Sequence, residues 1–138
     1  MSLCFIQGAN MRILIVDNDA RRINMFNDVL GEEHEIDTCL DVDDGIDAVH
    51  SVKYDCILLD HELGIEPSNK DPYSDCIGYD VVRAIKESEN VHTPTIVHSS
   101  DGQWCEKISR VLPNAVHIPF NELSQNIIEA LPRILNRQ

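Results

Sequence analysis

Apolar residues fall along the chain in five short runs, separated by stretches in which they recur at helical spacing. Ile13 to Val16, Glu35 to Leu40, Cys56 to Leu59, Thr95 to His98 and Ala115 to Ile118 read as β-strands. The first, third and fourth are nearly continuous apolar stretches, the pattern of strands covered on both faces. Between them, Ile23, Phe26, Val29 and Leu30 predict a helix that stops at Gly31. Ile46 and Val49 mark a second helix, capped by Asp41 or Asp43. Val81, Val82 and Ile85 mark a third, and Trp104, Ile108 and Val111 a fourth. Leu123, Ile127, Ile128, Leu131 and Leu135 mark a fifth, with Asn121 as its cap and a kink at Pro132.

Strict alternation of strand and helix predicts an α/β fold, a doubly wound parallel sheet with right-handed crossovers and helices on both faces. Its 138 residues suffice for one domain with a real core. Residues 11–138 are expected to form it, with 1–10 as an extension before the first strand. One stretch, Gly64 to Gly78, is unusually long for a loop in so small a domain. In a doubly wound sheet the working site lies beyond the carboxyl ends of the central strands. There the sequence offers Asp17-Asn18-Asp19, then Asp60-His61-Glu62, His98-Ser99-Ser100 and His117-Ile118-Pro119-Phe120.

Charge narrows the chemistry. A formal net charge of −13 argues against nucleic-acid binding, which needs a basic footprint. The same field repels phosphate esters at long range unless a cation intervenes. Acids from two strand ends suit Mg2+, which takes hard oxygen ligands and keeps several waters. The competing explanation for Asp17 and Asp19 is that they cap the following helix. No apolar run approaches the roughly 20 residues of a membrane helix. The five cysteines (Cys4, Cys39, Cys56, Cys76, Cys105) are scattered, without a CxxC pair, which fits a reducing cytoplasm better than a disulfide framework.

The segments ILIVDND, CILLDHEL, TPTIVHSS and VHIPF, in that order, resemble the successive motifs of bacterial response-regulator receiver domains, over residues 11 to about 136. The resemblance implies a flavodoxin-like (βα)5 fold with strand order 2-1-3-4-5. It makes Asp60 the acceptor of a phosphoryl group from a histidine kinase or another phosphodonor, with Mg2+ bound. Asp17 and Asn18 fall on the acid pair that holds the metal, Asp19 could substitute for Asn18, and the Glu62 carbonyl would add a ligand. Ser99 falls on the hydroxyl residue that bonds the phosphoryl group. A downstream protein target is implied, and a homodimer is compatible with the resemblance.

The departures are as informative. Ile118 stands at the family's lysine, Asn18 at its second acid, Ala115 at its aromatic switch position and Gly64 at a usual proline. A charged hydrogen bond is worth roughly 1.5–3 kcal/mol, against about 5.5 kcal/mol for a full two-state switch, so conventional switching is not expected to survive. Asp60-His61, the long loop after it and His98-Ser99-Ser100 resemble a narrower group, the cyclic-phosphate-processing receiver domains. With that resemblance, His61 and His98 become acid–base candidates beside Asp60. Against this, His98 and His117 could both turn into the sheet–helix interface and contact each other or a backbone carbonyl there. His34, His50 and His92 read as surface residues. The expected function is a stand-alone phosphorelay module working through Mg2+-dependent phosphorylation of Asp60; the alternatives are a metal-dependent phosphoesterase acting on cyclic phosphates and, further, a degenerate receiver serving as an interaction scaffold. With no output domain expected after residue 138, a signal would pass through protein contacts, for which Trp104 is the aromatic candidate, although it reads first as a core anchor of the fourth helix.

Overall fold

The computed structural model describes residues 10–60, 77–98 and 108–118, together with Leu123. Five parallel strands, β1 (Arg12–Val16), β2 (Glu35–Cys39), β3 (Cys56–Leu59), β4 (Thr95–Val97) and β5 (Ala115–His117), form one sheet. Their order is β2-β1-β3-β4-β5, that of the flavodoxin-like receiver fold. The strands lie within one residue of the apolar runs that announce them. Leu40, His98 and Ile118 fall just outside, although His98 and Ile118 still donate their backbone N–H to Leu59 and Val97.

Helices α1 (Ala20–Leu30), α2 (Val42–Ser51) and α3 (Ile77–Lys86) fill the crossovers. Asp41 caps α2 by accepting the Asp44 N–H at 2.9 Å, and Asp43 and Asp44 add acid to a first turn whose dipole favours it. Gly45 lets α2 approach the sheet, since a Cβ there would lie 3.1 Å from Val16 Cγ1 and 3.4 Å from Val81 Cγ2. Gly31 does end α1, but in a right-handed conformation (φ −69°). The glycine is needed there for space, because a Cβ would sit 2.5 Å from the Asn27 carbonyl oxygen. Residues 108–111 are helical. Trp104, Pro132 and every other position of the fifth helix pattern apart from Leu123 lie outside the described residues.

Side-chain alternation in β1 and β3 divides the core in two. Ile13, Ile15, Cys56, Leu58 and Ile96 pack with Phe26, Ile23 and Leu30 of α1 and with Leu123. Leu14, Val16, Ile57, Leu59 and Val97 face Val49, Val81, Val82, Ile85, Ile108 and Leu112 on the other side. Each such side chain contributes about 1.5–3 kcal/mol when fully buried. Cys39 and Cys56 are free thiols within these layers. Burial pushes them up to about 11 and about 12, so neither is a nucleophile near neutral pH.

The amino edge of the sheet is fastened by polar groups. Asn90 is fully buried. Its amide donates to the carbonyls of Val49 and Val52 at 2.9 and 2.8 Å, and its oxygen accepts the Tyr54 N–H at 2.8 Å. Thr93 donates to the same oxygen at 3.0 Å.

His34, half-buried, accepts the Met11 N–H on Nδ1 at 3.2 Å. Burial holds its pKa below the ordinary 6.5, with Glu33 opposing weakly. Below pH 6.5 the unfolded chain therefore binds more protons than the native one, and stability falls with acidification. The contribution is complete above 6.5 and lost as pH drops through the folded value. In His34→Gln the urea midpoint should vary less with pH between roughly pH 5 and 7. Equal slopes in both proteins would show that His34 carries none of the dependence.

Candidate functional site

Asp17 and Asp60 follow β1 and β3 directly. Each continues the sheet by one hydrogen bond, Asp17 N–H to Cys39 O at 3.0 Å and Asp60 N–H to Val16 O at 2.9 Å. Pairing of β1 with β3 (Val16 opposite Leu59) brings the two carboxylates to the same level at the centre of the carboxyl edge. Both are buried, Asp17 completely and Asp60 to 3% exposure.

Buried carboxylates require a counter-charge, and here Arg22 supplies it. Its Nε donates to Asp17 Oδ2 at 2.8 Å and its Nη2 to Asp17 Oδ1 at 2.8 Å, a fork on one carboxylate. The same Nη2 donates to Asp60 Oδ2 at 2.9 Å. Asp19 Oδ2 lies 3.9 Å from Nη1. The hydrogen bond to Asp17 is the main reason the Arg22 pKa rises above its ordinary value, so the guanidinium stays charged.

Arg22 was not among the sequence candidates, though a signal for it existed. It sits with Arg21 in the first turn of α1, which holds no acid, whereas the helix dipole favours anions there. A cation in that place, five residues after Asp17, needs a carboxylate partner.

The remaining candidates are placed unequally. Asp19 is the N-cap of α1, accepting the Arg21 N–H at 2.9 Å. That hydrogen bond is the largest cause of its lowered pKa. Asp17 Oδ1 also accepts the Asp19 N–H at 2.9 Å. Capping and charge clustering therefore operate together at this turn. Asn18 is exposed, so Asp17 alone of the three meets Asp60 around a shared positive atom. His98 lies beneath the acids, its side chain 1% exposed, with Nε2 3.7 Å from Asp17 Oδ2. Its ring packs on Phe26 at 5.6 Å between centroids.

His98 and His117 do not meet. Val97 is the register partner of His117, which puts His117 on the opposite face from His98 and leaves it exposed. Ile118 packs against the Phe26 cluster instead. His50 and His92 are exposed. Ser99, His61, Glu62, Pro119 and the Gly64–Gly78 loop as far as Cys76 lie outside the described residues.

Asp17 and Asp60 fit a divalent cation as a pair, since both offer hard oxygens toward one point already occupied by positive charge. Magnesium sites commonly use one or two carboxylates and complete the shell with water or phosphate. Among the described residues no third His, Cys, Asp or Glu completes a ligand group. Asp17, Asp19 and Asp60 against Arg22 and Arg21, which pairs with Asp19 at 3.6 Å, leave three negative charges and two positive, a formal −1.

This sheet order, with paired acids at the ends of β1 and β3, defines a receiver domain. The chain belongs to the cyclic-phosphate processing receiver domain family, whose model matches residues 12–114. Solved receiver domains share the fold. The receiver domain of the Francisella response regulator 1452 is 16% identical, with 93% of this chain and 98% of that one covered at a TM-score of 0.67. The BeF3-activated DrrB receiver domain is 20% identical, with 93% and 99% covered and a TM-score of 0.70. The receiver domain of a Pseudomonas aeruginosa sensor histidine kinase, with magnesium coordinated in its active-site cleft, is 21% identical, with 94% and 97% covered at 0.65. Among curated proteins none matches significantly. Among the described residues no helix is long and apolar enough to cross a membrane.

Proposed function

We propose that the carboxyl edge of this receiver domain is a phosphate-processing site that binds a divalent cation, Mg2+ by its oxygen donors, and acts on a cyclic phosphate ester. The observation that carries this is the pair of buried carboxylates, Asp17 and Asp60, converging on one cation. The formal −1 of the cluster, within a chain of net −13, opposes any phosphate that arrives without added positive charge. A cation on Asp17 and Asp60 would supply that charge and polarise the phosphate oxygens.

The chain's own residues divide the remaining tasks. Arg22 is the cation that bonds both acids, and it supplies positive charge that Ile118 cannot provide. A planar guanidinium suits phosphate oxygens better than a single ammonium does. His98, packed beneath Asp17, positions that carboxylate. Moving a proton falls to His61, and hydrogen bonding to the phosphate falls to Ser99, both on sequence grounds alone.

A second reading, phosphorelay through Mg2+-dependent phosphorylation of Asp60, is favoured by the place of Asp60 at the end of β3. Its partners would be a histidine kinase or other phosphodonor and a target protein in the cytoplasm. Ile118 weighs against a conventional switch, because it is built into an apolar cluster.

The two part in one pair of assays. Wild-type protein with Mg2+ is expected to hydrolyse nucleoside 2′,3′-cyclic phosphates above the buffer rate. A rate equal to buffer, with a stable beryllofluoride adduct on Asp60, would replace the esterase by the relay. Neither activity nor adduct would leave an interaction scaffold.

A further inference from the structure

The cation that holds the two acids is part of the protein. Arg22 Nη2 lies 2.8 Å from Asp17 Oδ1 and 2.9 Å from Asp60 Oδ2, which is the ground any metal bound to both carboxylates must take. A metal at roughly 2.0–2.1 Å from those oxygens and a guanidinium nitrogen in hydrogen-bonding contact with them crowd and repel one another. We propose that Arg22 is an exchangeable counter-ion: it clamps Asp17 to Asp60 when the site is free of metal and withdraws from them when a divalent cation binds. The proposal rests on the assignment of Asp17 and Asp60 as a cation-binding pair.

Three features make the exchange physically workable. The guanidinium is charged throughout, so it leaves by moving and not by losing a proton. Its side chain is 30% exposed while Asp17 is 0% and Asp60 5% exposed, so the cation has a way out and the acids do not. Asp19, at 28% exposure and 3.9 Å from Nη1, stands on the solvent side as an alternative partner. The move is short, from a buried carboxylate pair to the cap of the same helix. It would leave Arg22 at the mouth of the site, facing whatever anion the metal attracts. In the metal-free state the clamp also prevents two buried negative charges from repelling each other across the sheet end.

The test uses the intact chain. The Nε–H resonance of Arg22, identified by its loss in Arg22→Lys, is followed during Mg2+ titration of the wild type, alongside calorimetry. The signal is expected to move toward that of a solvated arginine with the same half-saturation as the heat of binding. Arg22→Met, which removes the competitor, is expected to bind Mg2+ about tenfold more tightly. If that variant does not fold, the wild-type resonance decides alone. Heat of binding with an unmoved Nε–H signal, or with unimproved affinity in Arg22→Met, would overturn the exchange while leaving the cation site standing. No heat in either protein would overturn both.

Discussion

Asn90→Ala is expected to cost about 4 kcal/mol of folding stability, although residue 90 lies in no helix or strand and far from the acids. Its amide serves three segments at once, the end of α2 through Val49 and Val52, the entry to β3 through Tyr54, and the approach to β4 through Thr93. Alanine leaves the Tyr54 N–H and the Val49 carbonyl buried without this partner, and each orphan costs roughly 1–3 kcal/mol. Water cannot easily repair the loss at a fully buried position. A few kilocalories is a large share of a domain's usual 5–15 kcal/mol. Urea denaturation measures it directly. A loss below about 1 kcal/mol would mean that the surrounding turn closes over the gap and that the network is not cooperative.

Asp60→Asn is expected to lower cyclic phosphate hydrolysis by at least about a hundredfold, the size seen when a group acting at a transition state is removed. Asparagine keeps the shape and a hydrogen-bond acceptor for Arg22 Nη2 but removes the charge that holds a cation. Asp17→Asn should be comparably damaging, because Asp17 is the forked partner of Arg22 and the neighbour of His98. Mg2+ affinity, measured by calorimetry, should fall in both variants. If hydrolysis in Asp60→Asn stays within about threefold of the wild type, the reacting centre lies elsewhere. In a relay, the same variant would instead remove the beryllofluoride adduct.

The sheet was legible because its central strands are covered on both faces and so read as unbroken apolar runs. β1 and β3 carry almost nothing else. The edge strand β2, with one buried residue, Cys39, was legible only through its place in the alternation. Asp17 and Asp60 were legible by position, since they end the two runs that a doubly wound sheet sets side by side. Arg22 was not, because the helix carrying it declares itself by its apolar residues, and a charged residue one turn before Phe26, at the edge of that face, adds nothing to the apolar pattern. The histidine pair failed for a different reason. Alternation within a strand can be read from one sequence, but the register between β4 and β5 cannot, and register puts Val97, not His98, beside His117.

The polar fastening around Asn90 and the acid pair stand at opposite ends of the same short strands. From Tyr54 to Asp60 is six residues, roughly 20 Å of extended chain. Groups so far apart and without shared partners contribute independently. The domain thus keeps its polar anchorage apart from its acidic rim. Charge at the rim can differ, as Asn18 and Ile118 illustrate, without touching the hydrogen bonds of Asn90 that tie the crossovers together.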